Sequence, residues 1–416
     1  MKKIVNWDNI DASSWTYDFA NKECSYLIYE LDRLPDFTES RFDYLCKEPD
    51  NRQIEVVKKQ MMMLRQFHGL GSNWGISMRL VKKDFSIILY LVFRCASYQF
   101  LSDEEISAAD FKIRNALLQN EYSFKRIENN IENILWVNEI AEITKNEMEY
   151  QSDRYPDGSH QDFYVPYMWT NTENSMENIC NALLSHKGRA IIDVTIVPSQ
   201  YLKTEQNWMN GNINYLKECM NGETIRSKES GKVLWQGKKL PILKTPVDNC
   251  EKMNKQYETS RIFLSSVRVL SDSNAEILAN AFLVNSVKNE GSIQVLKKGS
   301  EKFDYLLSCY VNVDISADVH TAYWNDHDGP YRAQRFSRLN CLEEISNCFR
   351  IPVPIKPGFP GFGYDTGLGE IGKPKSERSI INLGVYLDDK NTSTVQFDSQ
   401  QLAKHGLIVG VPGSGK

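Results

Sequence analysis

Apolar and polar residues follow first a helical and then a strand period in the early part of the chain. Apolar residues recur every three or four positions over 54–64, which predicts a helix that ends near Gly69. Over 76–80 they alternate with polar residues, and 85–93 is a more continuous apolar run that indicates a buried strand. The pattern therefore predicts a helix followed by two adjacent strands.

Helices are expected on both sides of these elements. Ser102-x-x-Glu105 forms a capping box, in which the two side chains satisfy free N–H groups at the start of a helix. Apolar residues at helical spacing predict a further helix over 127–135, and a less regular helical pattern covers 17–31. We expect these elements to form a first α/β unit over 1–155, which is closed by a Pro-Asp-Gly turn.

The following part of the chain alternates predicted strands and helices. The strands are expected at 163–169, 189–197, 261–270 and 292–296, and the helices at 176–184, 206–220, 247–257 and 273–291. This order is typical of a split-βαβ, ferredoxin-like unit, which we place at 156–350. The first unit has a weaker version of the same order, without a residue-level repeat. The expected fold class is mixed α/β (α+β).

Proline and glycine are concentrated over 352–374, which is the composition of a linker that runs over a surface. We therefore predict a linker over 351–379. Two apolar segments, 380–387 and 394–397, then predict a pair of strands around a polar turn.

A glycine-rich motif follows an apolar run at 406–409. The motif has the spacing G-x-x-x-x-G-K and consists of Gly410, Val411, Pro412, Gly413, Ser414, Gly415 and Lys416. Such a loop lets consecutive backbone N–H groups face phosphate oxygens, while the lysine contacts the β- and γ-phosphates. We predict that 410–416 binds ATP, with Lys416 as the catalytic residue, and that 380–416 begins a RecA-like P-loop domain. The alternative is a glycine-rich turn that ends in lysine.

A working phosphate loop also needs parts that come after its lysine. These are a Ser or Thr that binds Mg²⁺, a helix whose N-terminus faces the phosphates, and an acidic Walker-B residue. The sequence through Lys416 does not contain them. We therefore expect it to be the N-terminal portion of a longer nucleotide-driven protein, truncated within the Walker A motif and inactive as an ATPase by itself.

The charge balance and the cysteines narrow the classes of partner and compartment. The chain has 49 Lys and Arg residues against 54 Asp and Glu residues, a net charge of −5, so only a local basic patch would favour a polyanionic partner. Nine cysteines without a C-x-x-C pair are typical of reduced thiols. The N-terminus has no signal sequence, and the apolar run at 87–93 is too short to span a bilayer. We expect a soluble, cytoplasmic protein.

Two histidines and three arginines are the remaining candidates for chemistry. His320 and His327 lie near aspartates in a loop-like stretch. A metal site needs at least three converging ligands, so a polar surface loop is the simpler interpretation and no metal site is predicted. Arg332, Arg335 and Arg338 recur every third residue and would form one basic face of a helix. That face would either contact phosphates or be solvated.

The last part of the sequence resembles a known family. A short helix that stops before Pro352 and the proline- and glycine-rich stretch precede Leu383-Gly384, Phe397-Asp398 and the run from His405 to the glycine-rich loop. This order resembles the entry into the motor domain of the HerA/FtsK superfamily of P-loop ATPases. The similarity is closest to the ATPases of conjugative type IV secretion systems. Pro412 departs from the threonine or alanine usual there, and a HerA-type N-terminal β-barrel is not evident.

The resemblance implies a hexameric ring in which ATP, bound with Mg²⁺ between subunits, drives the translocation of DNA or of a polypeptide. It also implies that the protein joins a membrane-associated complex only through partners. Two other functions fit the motif. One is a different P-loop ATPase, such as an AAA+ protein, whose α-helical lid would follow the core. The other is a non-catalytic interaction module of a larger assembly.

Overall fold

The computed structural model describes most of the chain between Glu23 and Asp398. The described residues are 23–97, 100–127, 134–151, 155, 158, 162–170, 175–228, 230–288, 291–315, 334–354, 359–365, 380–388 and 391–398. The chain divides into two compact units, Met1–Gly363 and Tyr364–Lys416.

Strands and helices alternate through the first unit. The strands are β1 (Glu23–Pro35), β2 (Trp74–Lys83), β3 (Ser86–Ser97), β4 (Ser123–Ile127), β5 (Glu139–Lys145), β6 (Glu147–Gln151), β7 (Asp162–Pro166), β8 (Ala190–Ser199), β9 (Thr224–Arg226), β10 (Val233–Gln236), β11 (Ile262–Ser271), β12 (Gly291–Lys297) and β13 (Leu339–Cys341). The helices are α1 (Pro49–His68), α2 (Asp103–Leu118), α3 (Ser175–Ser185), α4 (Lys203–Asn221), α5 (Lys244–Thr259), α6 (Ala275–Val287), α7 (Glu301–Val311) and α8 (Leu342–Cys348). The mixed α/β class is confirmed.

One antiparallel sheet runs through the first unit in the order β12-β5-β11-β8-β2-β3-β1, with β4 on β1 and β13 on β11. The sheet contains the same element order twice. The first set is β1-α1-β2-β3-α2-β4. The second set is β5-α3-β8-β11-α6-β12, with α4 and α5 inserted between β8 and β11. In both sets the spatial strand order is second, third, first, fourth. This is the element order of a split βαβ unit.

The two sets are joined edge to edge where β2 pairs with β8, from Ile76↔Ile196 to Val81↔Ile191. The expected division at 155/156 is therefore wrong as a boundary between units. The sheet continues across it, and β5, which precedes residue 155, already belongs to the second set. Both β2 and β8 are buried on both faces, so separating the sets would expose two central strands.

The two faces of the sheet are covered by different elements. On one face, α1 packs on α2 and α8, and α3 packs on α6. On the other face, α7 forms one apolar cluster with residues such as Tyr90 and Ile191. Helices α4 and α5 form a second apolar cluster there, with Val197 and Leu264. Because Ile191 and Val197 are six residues apart on one strand, both clusters lie on the same face. The residues between them are therefore enclosed.

One helical prediction is wrong in its described part, and a second falls largely outside the described residues. The pattern over 17–31 predicted a helix, but the described part of it belongs to β1, which begins at Glu23. Ile127, the first residue of the helix expected over 127–135, is the last residue of β4, and 128–133 lie outside the described residues. In β1, Tyr26 and Tyr29 point to opposite faces and are both buried. A strand buried on both faces has no polar alternation, so its sequence is not distinguished from a helix by period.

The composition of 351–379 predicted a linker, but part of this stretch is packed on the first unit. Its described residues up to Gly363 belong to the first compact unit. The Gln60 side chain accepts from Ile351 N at 3.0 Å and donates to Ile351 O at 2.9 Å. Ile87 N donates to Gly361 O at 2.8 Å. The segment is therefore part of the packed unit, despite its proline and glycine content.

The second unit contains β14 (Tyr364–Asp365), β15 (Ile380–Asp388) and β16 (Asn391–Asp398). Strands β15 and β16 form an antiparallel hairpin, from Ile380↔Asp398 to Asp388↔Asn391. The two strands expected at 380–387 and 394–397 are confirmed. Within the described residues of the whole chain, no helix combines the length and apolar character needed to cross a membrane.

Candidate functional site

The residues predicted to bind ATP lie outside the described part of the chain. This applies to all of Gly410–Lys416 and also to His405, which precedes the apolar run. The loop with His320 and His327 is outside it as well. The sites that can be built atom by atom therefore belong to the first unit.

A row of charged and hydroxyl side chains crosses the centre of the sheet between the two apolar clusters. We call it the arginine–carboxylate belt. It consists of Ser77, Arg79, Arg94, Glu142, Asp193, Thr195, Ser266, Arg268, Asp314 and Arg338, all of them buried. The strands place them together because β3, β2, β8, β11 and β5 are consecutive neighbours in the sheet. Every one of these charges is removed from water, so each needs a partner.

Asp193 on β8 is the centre of the belt. One carboxylate oxygen accepts from Ser77 Oγ and, at 3.2 Å, from Arg79 Nε on the neighbouring strand β2. The other accepts from Thr195 Oγ1 at 2.9 Å and from Arg268 Nη1 at 3.3 Å on β11. Two arginines from the two neighbouring strands thus share one fully buried carboxylate.

Glu142 on β5 continues the belt toward β12. Its Oε1 accepts from Arg338 Nη1 at 2.8 Å and from Ser266 Oγ at 2.9 Å. Burial alone would raise the pKa of the Glu142 carboxyl. The charge and hydrogen bond of Arg338, with the charge of Arg268 and the Ser266 hydrogen bond, outweigh burial and lower the pKa to about 2. Glu142 is therefore ionised at neutral pH although it is buried.

The belt also holds the backbone that follows α7. Arg94 Nε donates to Asn312 O at 2.7 Å, and its Nη2 donates to Val313 O at 2.9 Å. Arg79 and Arg268 donate to the carbonyl oxygens of Tyr310 and Asp314. Val313 is held at a φ of 52°, which is uncommon for a β-branched residue.

Gly75 provides the space for this close approach. A Cβ atom at Gly75 would lie 2.0 Å from Val313 O and 3.1 Å from Arg94 Nη2. The belt is thus a clamp in which arginines from three strands fix one backbone segment.

The expected basic face of Arg332, Arg335 and Arg338 is wrong for the two residues that are described. Arg335 lies in a short 3-10 turn, Gln334–Ser337, and its Nε is 3.1 Å from Glu205 Oε1. Arg338 follows the turn and pairs with Glu142. The two guanidinium groups thus reach different buried carboxylates and do not form one solvated basic face.

A second buried ionic cluster fixes α8. Lys145 Nζ lies 2.5 Å from Glu344 Oε1 and donates to Tyr257 OH at 2.6 Å and to Leu339 O at 2.7 Å. Tyr257 OH in turn donates to Glu344 Oε2 at 3.0 Å. Burial, followed by the Glu344 charge, raises the pKa of Tyr257 well above its usual value. The lysine and the phenol are bound by protein partners from three elements, and they hold α8 against the sheet.

An open cleft of about 1110 Å³ lies beside this cluster. Its walls carry Arg65, His68, Arg261, Glu258 and Glu343. His68 Nε2 is 3.1 Å from two backbone carbonyl oxygens, so the ring is engaged with the walls. Among the described residues no group of three or more His, Cys, Asp or Glu side chains could hold a metal ion. The walls of the cleft are mostly polar.

Sequence reasoning missed both buried clusters. The signal that was present is a set of charged residues within otherwise apolar strands, such as Arg79 in β2, Asp193 in β8 and Arg268 in β11. Such residues are seldom fully buried without a partner. Read together, they indicate charges that must pair across neighbouring strands.

No family model matches the chain, and no curated protein matches it.

Proposed function

We propose that the chain is the N-terminal part of an ATP-driven ring motor of the HerA/FtsK type, which moves DNA or a polypeptide. The observation that carries the proposal is the G-x-x-x-x-G-K motif at 410–416, preceded by the apolar run 406–409. The hairpin of β15 and β16 supports it, because the resemblance places a strand pair before the phosphate loop.

In this proposal the backbone N–H groups of 410–415 bind the phosphates, and Lys416 contacts the β- and γ-phosphates. A lysine there neutralises charge that develops as the γ-phosphoryl group is transferred. Mg²⁺ would be held by a hydroxyl side chain that follows Lys416. The active assembly is a hexameric ring, with one ATP between neighbouring subunits.

The first unit is assigned the role of an assembly or cargo-docking module. The support is its own compactness: it contains a continuous sheet, helices on both faces and two buried ionic clusters. A unit with its own core can dock a partner while the ATPase domain cycles.

Nucleotide binding tests the proposal directly. A fluorescent ATP analogue is titrated with Mg²⁺ into the gene product that includes the residues after Lys416. The wild type is expected to bind, and Lys416→Ala to bind at least about tenfold more weakly, because a charge-assisted phosphate contact is lost. Lys404→Ala, outside the motif, is the matched control and should bind as the wild type does. Equal binding by the Lys416→Ala protein would refute the assignment of this loop.

A further inference from the structure

The hairpin between β2 and β3 ends in an exposed aromatic residue. Lys83 pairs with Ser86, so the turn consists of Asp84 and Phe85 alone. Asp84 has a φ of 52°, and Phe85 is 97% exposed. A two-residue turn needs small or polar residues and does not need a phenyl ring. The ring therefore contributes nothing to the core or to the turn that positions it.

Cations lie in the two neighbouring turns at this end of the sheet. Lys82 and Lys83 are the last residues of β2, and the Lys82 ammonium donates to the His186 carbonyl oxygen in the loop between α3 and β8. Because β2 and β8 are paired up to Val81↔Ile191, the residues before β8 lie beside the hairpin. These include Lys187 and Arg189, which are exposed, as is Lys83. We call Lys82, Lys83, Phe85, Lys187 and Arg189 the basic tip.

The nearby carboxylates do not cancel this charge. Asp272 accepts from Arg189 N at 3.0 Å, and it occupies the space that a side chain at residue 188 would need, with a Cβ there only 1.9 Å from its Oδ1. Asp272 is therefore committed to the turn before β8. Asp84, in the hairpin turn, is the other acid of the tip. Counted over the described residues of the two turns together with Asp272, four cations stand against two acids, so this set is positive although the whole chain carries −5.

We propose that the basic tip binds single-stranded nucleic acid, with the exposed cations Lys83, Lys187 and Arg189 on the phosphates and a base stacked on Phe85. Proteins that bind single strands without sequence preference combine cations along the backbone with exposed aromatic rings for the bases. A bilayer surface fits less well, because Phe85 is the single large apolar side chain of the tip and one such group gives little insertion. An acidic polypeptide would use the cations but would leave the ring without a role.

This inference deepens the proposed function, since it identifies the cargo of the proposed motor as nucleic acid. Only this identification rests on the proposed function; binding at the tip does not. Binding by the basic tip does not require ATP. It is measured by fluorescence anisotropy with labelled oligothymidylate of about 20 nucleotides, without nucleotide or Mg²⁺. If the oligonucleotide binds but Lys416→Ala leaves ATP binding unchanged, the motor proposal fails and the tip remains a nucleic-acid site. If the oligonucleotide does not bind but Lys416→Ala weakens ATP binding, the motor proposal stands and the tip is not a nucleic-acid site.

The aromatic contribution has a matched control. Phe85→Ala is expected to weaken oligonucleotide binding about tenfold or more, and Phe85→Tyr to keep it, because stacking needs a ring. Phe111 is also exposed, at 67%, but it lies on α2, whose first turn carries Asp103, Glu104 and Glu105. Phe111→Ala should therefore leave binding unchanged.

The ionic contribution is read from the salt dependence. Lys83→Gln and Lys187→Gln should each weaken binding and reduce the slope of log affinity against log salt by about 0.7, the release expected for one phosphate contact on a single strand. Competition with polyglutamate and with anionic lipid vesicles identifies other partners. Three results would overturn the inference: no binding up to about 100 µM at physiological salt, equal binding by Phe85→Ala, or displacement by polyglutamate or vesicles as effective as by unlabelled oligonucleotide.

Discussion

Glu142→Gln offers the sharpest test of the arginine–carboxylate belt. Lowering the pKa of the Glu142 carboxyl from 4.5 to about 2 stabilises the folded state by about 3 kcal/mol at neutral pH. The side chain is only 3% exposed, so solvent screening removes little of this energy. Glutamine keeps the shape and one acceptor oxygen but leaves Arg338 without its counter-charge. The loss should be about 3 kcal/mol, at the lower end of the cost of breaking a buried pair.

The pH dependence of this loss is specific to the carboxylate. A group whose pKa is lower in the folded state stabilises the protein fully above its unfolded pKa, and this stabilisation disappears as the pH falls through the folded value. The difference in unfolding free energy between wild type and Glu142→Gln should therefore be constant above pH of about 5.5 and shrink between about 4.5 and about 2. Urea titrations at several pH values, followed by tryptophan fluorescence, measure this difference.

A control variant separates the belt from general charge effects. Glu218 is an exposed residue of α4, and Glu218→Gln should change the unfolding free energy by less than about 0.5 kcal/mol. The double variant Glu142→Gln/Arg338→Met should recover part of the loss, because no buried charge is then left without its partner. A Glu142→Gln protein as stable as the wild type at neutral pH would refute the buried pair.

Two further predictions concern the backbone. Gly75→Ala should destabilise the protein by about 1–3 kcal/mol, because its Cβ would lie 2.0 Å from Val313 O. The control is Gly211→Ala, whose Cβ would meet no atom within 4 Å. A Gly75→Ala protein with the denaturation midpoint of the wild type would contradict the clamp. In limited proteolysis the first cut should fall after Gly363 and not within the described part of 351–363, which is hydrogen-bonded to the first unit. Early cleavage at 351–354 would contradict that packing.

Much of the secondary structure could be predicted because it has a clear period or a clear boundary signal. The capping box at Ser102 and Glu105 is present, with each side chain bonded to the other's backbone N–H group. Strands β8 and β11 were expected within a few residues of their bounds, because their apolar runs are bounded by turns. The alternation of strands and helices in the second set could also be predicted from the sequence.

The missed features share one physical cause, which is burial that local sequence does not reveal. Strand β1 is buried on both faces and so lacks alternation. The described part of 351–363 has the composition of a linker, yet its backbone groups are bonded to residues nearly three hundred positions away, such as Gln60. The partners of Asp193 come from β2 and β11, which no local pattern links. Residues 410–416 are known from their sequence motif alone.

ATP hydrolysis is the most direct measurement of the central claim, the phosphate loop at 410–416. The Mg²⁺-dependent rate is measured for the gene product that includes the residues after Lys416, as wild type, Lys416→Ala and the control Lys404→Ala. We predict that Lys416→Ala lowers the rate about a hundredfold or more, because the lysine stabilises charge on the transferred phosphoryl group, while Lys404→Ala does not. The first unit should remain folded in both variants. A Lys416→Ala protein that hydrolyses ATP at nearly the wild-type rate would contradict the proposal.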